Sequence, residues 1–477
     1  MSNFTLQLIG TIVKILVMVG FLVNAGGLLT WYDRRGGAMM QDRIGPNRAG
    51  IKLPFIGELR IAGLLHAAAD GVKFFTKKDF MPEKADKLLF SLAPMLSLFP
   101  VIALCAVMPF GDTIQPESIV RTVCKHGTQF APLAANGTCP TDYVKETVWP
   151  AVSRGGLSNA ATAIQLAVAP LNVGILYVFA IAGQGIIGAA IAGWASDNKF
   201  SLMGALRAAS QMVSYEVTLG LSLVGCFMIY GSVRLEDMVM WQDQNCWGIF
   251  VQPLAFFLFF ACAIAESKRI PFDLPEAESE LVSGYFTEYS GMKFGMFYLG
   301  EYMEVATSSM LLVLIFLGGW ALPFFHRDGI TIAFGDSELF HTRMPHIWMI
   351  IFGVLTFFGK TIVVCLFQAF VRWSLPRFRY DQLMKLGWTV LLPASLANIF
   401  ATGIIWLALQ SAGPNAQSGM KLLADITQGV TAAIVTGLVA WAVIGFSKTP
   451  FRRETIVGSS AKLAAAAGGS KEAPITA

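Results

Sequence analysis

The sequence predicts an all-α polytopic membrane protein, and three observations carry that reading. The chain has 477 residues, of which 55% are hydrophobic and only 14% charged. Apolar runs of about 20 residues, long enough to cross hydrocarbon as a helix, recur from one end to the other. Those runs lack the period-two alternation of a membrane barrel. Lys and Arg supply the third observation, because they are strongly partitioned between the segments that join the runs. If the N-terminus lies outside, 25 of the 35 fall in inner segments or, as Arg207 does, at the inner end of a span, 8 in outer segments and 2 deeper within spans. That asymmetry fixes an orientation with the C-terminus inside.

The spans are placed at about 4–31, 88–110, 160–192, 204–230, 247–265, 294–322, 345–371, 386–411 and 428–446. Together they make one transmembrane helical domain over residues 1–446, followed by an inner-side tail, 447–477. That tail is rich in small residues (GSSAKLAAAAGGS) and is expected to be disordered. The first run lacks the basic flank of a cleaved signal and is expected to stay as a span. The inner segment Tyr32–Lys87 carries a turn signal at Gly45-Pro46-Asn47. Leu59, Ala62, Leu65 and Ala69 then recur at helical spacing with Arg60 and Asp70 off the stripe, which predicts an amphipathic helix on the membrane surface.

The outer segment Gly111–Asn159 is polar and contains the sequon Asn136-Gly137-Thr138, together with Cys124 and Cys139. Those two cysteines are compatible with a disulfide or with two free thiols, since spacing does not establish geometry. Cys105, Cys226, Cys262 and Cys365 fall in apolar runs and read as packing residues. There is no CxxC pair, so the chain is expected to hold neither a metal nor an iron–sulfur cluster.

Ala265–Glu304 organises the rest. It leaves one span and enters the next, yet concentrates Glu266, Asp273, Glu276, Glu278, Glu280, Glu288, Glu301 and Glu304. Pro271 and Pro275 each remove a backbone donor and forbid continuous helix through its first part. Glu276 and Glu280 share a face if that part is helical, whereas Glu278 points elsewhere. Crowded carboxyls titrate as a coupled set and respond to a nearby change of charge. The plainer alternative is a solvated acidic loop paired with Lys268 and Arg269. Within the spans, ionisable side chains cost on the order of 3 kcal/mol and usually mark a pathway. Glu216 sits well inside the fourth, Glu301 and Glu304 share a face of the sixth, Lys360 lies in the seventh and Lys14 in the first. A proton-handling role is the expectation for Glu216, with a hydrogen-bonded carboxyl at a helix interface as its alternative.

Four inner stretches then carry a resemblance: MQDRIGPNRAG, GWASDNKFSLMGALRAASQMVSYEVTLGLSL, AESKRIPFDLPEAESELVSGYFTEYSGMKFGMFYLGEY and LPRFRYDQLMKLGWTVLLP. In order and topology they resemble the quinone-site membrane subunit of respiratory complex I, the NADH:quinone oxidoreductase of bacteria and mitochondria. The resemblance covers about residues 4–411 and leaves the last helix and tail outside it. It implies a quinone-access cavity on Arg34, Asp70, Arg269 and Asp273. It also implies a glutamate-rich proton path through Glu216, Glu266, Glu276, Glu278, Glu280, Glu288 and Glu301. No catalytic residue is implied in this chain alone. Quinone would be the substrate, iron–sulfur clusters and FMN would sit on partner subunits, and the basic segment with Arg372, Arg377, Arg379 and Asp381 would meet those partners. The implied location is the bacterial inner membrane, with the mitochondrial inner membrane as the alternative.

Two departures stand out. Asp33-Arg34 replaces the usual Glu-Arg, keeping the charge with a shorter reach, and His66 stands where Gln is common. Two other functions fit parts of the sequence. The homologous component of a membrane-bound hydrogenase would share the motifs. A stand-alone ion-coupled transporter would share the buried carboxyls but has no use for the long inner segments.

Overall fold

The computed structural model describes residues 3–53, 57–59, 63–113, 120–126, 129–132, 143–147, 165–323, 325–326, 329–334, 337–343 and 346–411. Among the described residues the helices are α1 (Asn3–Met40), α2 (Leu65–Thr76), α3 (Lys87–Leu104), α4 (Gly174–Ala195), α5 (Lys199–Tyr230), α6 (Leu235–Gln244), α7 (Gly248–Val251), α8 (Pro253–Glu266), α9 (Glu278–Leu281), α10 (Gly291–Phe316), α11 (His346–Ser374), α12 (Tyr380–Lys385) and α13 (Leu392–Ser411). A π-helical stretch, Leu386–Leu391, joins α12 to α13. Among the described residues, seven helices are long and apolar enough to cross a membrane, and α8 is a shorter apolar helix. The predicted span 428–446, the tail, Cys139, the Cys124 side chain and the sequon lie outside the described residues.

Among the described residues, strands occur only in the connecting segments. β1 (Ile51–Leu53) pairs antiparallel with β2 (Gly57–Leu59). β3 (Val120–His126) lies between β4 (Gln129–Pro132) and β5 (Tyr143–Thr147), and β7 (Gly329–Phe334) lies between β6 (Phe325–His326) and β8 (Ser337–Arg343). The class therefore stays α-helical.

α10 is the axis of the bundle. In its most apolar window 83% of residues are buried, against 17–56% in the other six long helices. It packs against α1, α3 and α11, while α5 packs against α4, α8 and α13. The outward faces of α1, α11 and α13 expose Leu16, Leu355, Val363, Phe400 and Ile404, as helices bordered by lipid would. Asp86 caps α3 by accepting from the amides of Leu88 and Leu89 at 3.0 and 3.3 Å. Asn198 caps α5 in the same way, through the Phe200 amide at 3.0 Å.

Several boundaries move for local reasons. α3 stops at Leu104 rather than near 110, because Pro109 disfavours helical geometry at Met108. Residues 165–170 are irregular before Pro170, and they dock on the end of α3 through Phe110 N to Leu166 O and Ala169 N to Ala106 O. The surface helix starts at Leu65 and not at Leu59, which belongs to β2. Gly63 intervenes at φ 83°, a left-handed turn that ends any continuous stripe.

Both intramembrane lysines are tied to backbone. Lys14 Nζ donates to the carbonyls of Gln165 and Ala167 at 3.1 and 2.8 Å. Lys360 Nζ donates to Leu317, Gly319 and Ala321 at 2.7, 3.1 and 2.7 Å. The cysteines Cys105, Cys226, Cys262 and Cys365 are buried and free, as packing residues should be.

Candidate functional site

At one end of the bundle the four motif-bearing segments meet. Arg34 at the end of α1 pairs with Asp70 of α2 at 2.5 Å, and Lys73 adds a second cation to Asp70 at 3.6 Å. Arg207 of α5 reaches Glu280 at 2.6 Å, and Arg377 reaches Asp273 at 2.7 Å. Phe378 N donates to Pro271 O, and the Tyr215 hydroxyl donates to Leu383 O at 2.9 Å. The acid-rich segment is thus held between α5 and the segment after α11. Its backbone lies so close that a Cβ on Gly204 would stand 2.7 Å from the Gly284 Cα. Gly284 itself takes φ 60°.

A run of polar side chains leads inward from Arg34. Arg34 lies within electrostatic reach of Tyr298 as well as of Asp70. The hydroxyls of Tyr298 and Tyr302 lie 3.3 Å apart, and the Tyr302 hydroxyl donates to Asp33 Oδ2 at 2.9 Å. Arg372 donates to the same oxygen. Arg269 stacks its guanidinium 3.7 Å from the Tyr302 ring centroid, an electrostatic contact strengthened by burial. It stands 3.7 Å from both Asp33 and Glu301. The Tyr285 hydroxyl donates to Glu301 at 3.0 Å, and Glu276 lies within electrostatic reach of Glu301.

Electrostatics separate the acids of the loop. Burial, against the pull of Arg377, pushes the Asp273 carboxyl up to about 6. Burial and the neighbouring Glu301 hold Glu276 well above the ordinary carboxyl range. They do the same to the Tyr285 hydroxyl. Burial alone would lower Lys268, but the carboxylates of Glu304, Glu301 and Glu266 outweigh it and raise the ammonium above its usual value. Lys268 adopts φ 54°, a left-handed conformation that costs a non-glycine residue about 1–2 kcal/mol. Its Nζ meets Glu304 at 3.1 Å.

Behind this cluster a cavity runs between α3, α4, α5, α8 and α10. Glu266, Lys268 and Glu304 form its polar part, and Thr307 and Ser308 continue it along α10. Glu216 on α5 lies against Gly183, where an added Cβ would stand 3.2 Å from the carboxylate. Its charge is within electrostatic reach of Glu266.

The expected site residues therefore divide. Arg34 and Asp70 form one pair, Arg269 joins Asp33 and Glu301, and Asp273 and Glu276 adjoin Glu301. Glu216 and Glu266 lie beyond, near Glu304. Glu280 is exposed and engaged by Arg207. Glu288 accepts from Asn198 Nδ2 at 2.7 Å, so one side chain caps α5 and holds this acid. The Glu278 side chain lies outside the described residues, although its backbone starts α9. His66 Nδ1 is 3.1 Å from Gly63 O, a contact within its own turn. Reading by charge passes over Tyr285, Tyr298 and Tyr302, which carry the links between the ions. The signal available was the i, i+4 spacing of Tyr298 and Tyr302 beside Glu301. Among the described residues no group of His, Cys, Asp or Glu is arranged to hold a metal ion.

Known proteins match this chain over most of its length. A profile of the NADH dehydrogenase family matches residues 13–403. An NADH-quinone oxidoreductase H subunit of Cytophaga hutchinsonii, the copy numbered 1, is 38% identical over 374 residues, 78% of this chain and 90% of the relative. The NADH-quinone oxidoreductase H subunit of Thermomicrobium roseum is 39% identical over 400 residues, covering 82% and 94%. The H subunit numbered 2 of Syntrophobacter fumaroxidans is 38% identical over 409 residues, covering 85% and 99%.

Proposed function

Because this chain belongs to the NADH dehydrogenase family and matches the H subunits of NADH-quinone oxidoreductases over most of its length, we propose that it provides the quinone side of such a complex. Its buried acids would couple the quinone reaction to proton movement. The chain is a multi-pass membrane subunit of that oxidoreductase complex, and other subunits of the complex are its partners. The bacterial relatives support placing it in a bacterial inner membrane.

The carrying observation is the succession of polar and charged side chains from Arg34–Asp70 through Tyr298, Tyr302, Asp33 and Arg269 to Glu301, joined by hydrogen bonds at the tyrosines and by ion pairs at Arg269. In this reading the quinone head group approaches from the Arg34–Asp70 side, where guanidinium and hydroxyl donors suit its carbonyl oxygens. Electrons reach it from iron–sulfur and flavin groups carried by peripheral subunits. A change of charge near Arg269 alters its pull on Asp33 and Glu301, two carboxylates at equal distance. Glu301 passes that change to Glu276 through its charge, and to Lys268 and Glu304 across one turn of α10. Glu266 and Glu216 then accept or release protons along the cavity between α3, α4, α5, α8 and α10. The exposed pair Arg207–Glu280 stays outside this run and holds the loop in place.

Glu216→Gln and Arg269→Ala in the intact complex test the reading. Each should leave the complex assembled and lower quinone-linked turnover by at least about tenfold, equivalent to roughly 1.4 kcal/mol of barrier. Full turnover with full proton pumping in both variants would sink it.

A further inference from the structure

A second, smaller cavity lies between α1, the end of α8, α10 and α11. Its polar lining includes Asp33, Arg269, Gln368 and Arg372. Gln368 is only 6% exposed, and neither its Oε1 nor its Nε2 has a hydrogen-bond partner among the described residues. The same holds for Asp33 Oδ1, Arg269 Nε and Arg269 Nη2, all buried. Leaving a buried polar atom unpaired is costly in folding, so five on three residues that line one cavity indicate a ligand.

The chemistry of the five selects that ligand. Three are donors, on Arg269 and Gln368, and two are acceptors, on Asp33 and Gln368. A small anion would satisfy the donors but face Asp33 Oδ1 and Gln368 Oε1. A metal cation would face two guanidinium groups. An apolar chain would leave all five unpaired. Water both donates and accepts, and suits every one of them. The ion-pair distances agree, because Arg269 stands 3.7 Å from Asp33 and 3.7 Å from Glu301, too far for direct hydrogen bonds and suited to bridging water.

We infer that this cavity is an ordered-water site in which Gln368 anchors the water that bridges Asp33 and Arg269. Gln368 is then a positioning residue: it acts on Arg269 through water and touches no reacting group. The water site stands on local geometry alone, and only its kinetic consequence rests on the quinone reading above.

The test is an electron-microscopy map of the intact complex at a resolution that shows ordered water. Density is expected within hydrogen-bond reach of Gln368 and of Asp33 Oδ1 or Arg269 Nε. Density for an apolar chain, no density beside Gln368, or a peak that strengthens when bromide replaces chloride would each overturn the inference. Gln368→Leu should lose the water beside residue 368 and lower turnover about three- to tenfold, the size of one lost hydrogen-bonded bridge. Gln368→Asn keeps the amide and should retain both the water and most of the turnover. If the leucine variant does not assemble, the wild-type and asparagine maps still decide. The maps report water and not turnover, so failure of the quinone reading would show in Arg269→Ala and leave this result standing.

Discussion

Arg269 and Lys360 are both cations packed against α10, one near its N-terminal half and the other at its C-terminal end, and their surroundings differ in kind. Lys360 has three ammonium donors and gives them to three carbonyls, Leu317, Gly319 and Ala321, which follow the end of α10. Leu317 is the C-cap of α10, so its carbonyl lies at the negative end of the helix dipole. The Trp247 ring covers the ammonium at 4.5 Å. Nothing is left over for a ligand. Arg269 instead meets two carboxylates at 3.7 Å and keeps Nε and Nη2 without hydrogen bonds among the described residues. A buried charge with every donor engaged fastens helices, whereas one with donors in reserve can respond to something that arrives. Charge in the membrane is thus not one signal, and local satisfaction separates its two uses.

The largest effect should come from breaking the satisfied site. Lys360→Met removes the shared donor of three inward carbonyls and should destabilise the protein by about 3 kcal/mol, read as a lower Tm and less assembled complex. If the variant kept its Tm and lost only turnover, Lys360 would belong with Arg269 and the comparison would fail.

A middle effect concerns pH. With its carboxyl pushed up to about 6 by burial against the pull of Arg377, Asp273 is mostly ionised at pH 7. It takes up a proton as pH falls through 6, which removes the negative half of its pair with Arg377. Quinone-linked turnover should therefore decline several-fold on an acid limb near pH 6. Asp273→Asn should show lower turnover with that limb flattened, measured as a pH profile of the two complexes side by side.

The smallest effect sharpens the boundary of the responsive region. Glu280 is more than half exposed where it meets Arg207. Arg207→Gln should cost less than about 1 kcal/mol and leave turnover within twofold, as expected of a solvated pair. A tenfold loss would bring Glu280 into the proton path.

Much of this was legible in the chain itself. Hydropathy placed apolar runs on the seven long helices found among the described residues, although α1 continues to Met40 where its run was expected to end near residue 31. It misjudged the ends set by proline or glycine, as at Pro109, Pro170 and Gly63, where backbone geometry overrides side-chain polarity. The acid-rich segment was equally plain, and so were Glu216, Glu301 and Lys360, because each is out of place in apolar surroundings. What the pattern could not rank was the acids among themselves. Glu276 and Glu280 are alike in sequence, yet one is enclosed beside Glu301 and the other is exposed beside Arg207.

Charge spacing and hydropathy by themselves determined a helical membrane protein, a sided distribution of Lys and Arg, and a list of carboxylates that had to be paired or used. Those properties are additive along the chain, so a linear reading recovers them. The tertiary structure alone decided which ions meet. Asp33 finds Tyr302, Arg269 and Arg372 across as many as 339 positions of sequence. It also decided that Gln368, an ordinary polar residue in an apolar run, faces Asp33 and Arg269 across a cavity. Such meetings depend on how helices pack, and packing is set by shape over the whole bundle rather than by any one segment.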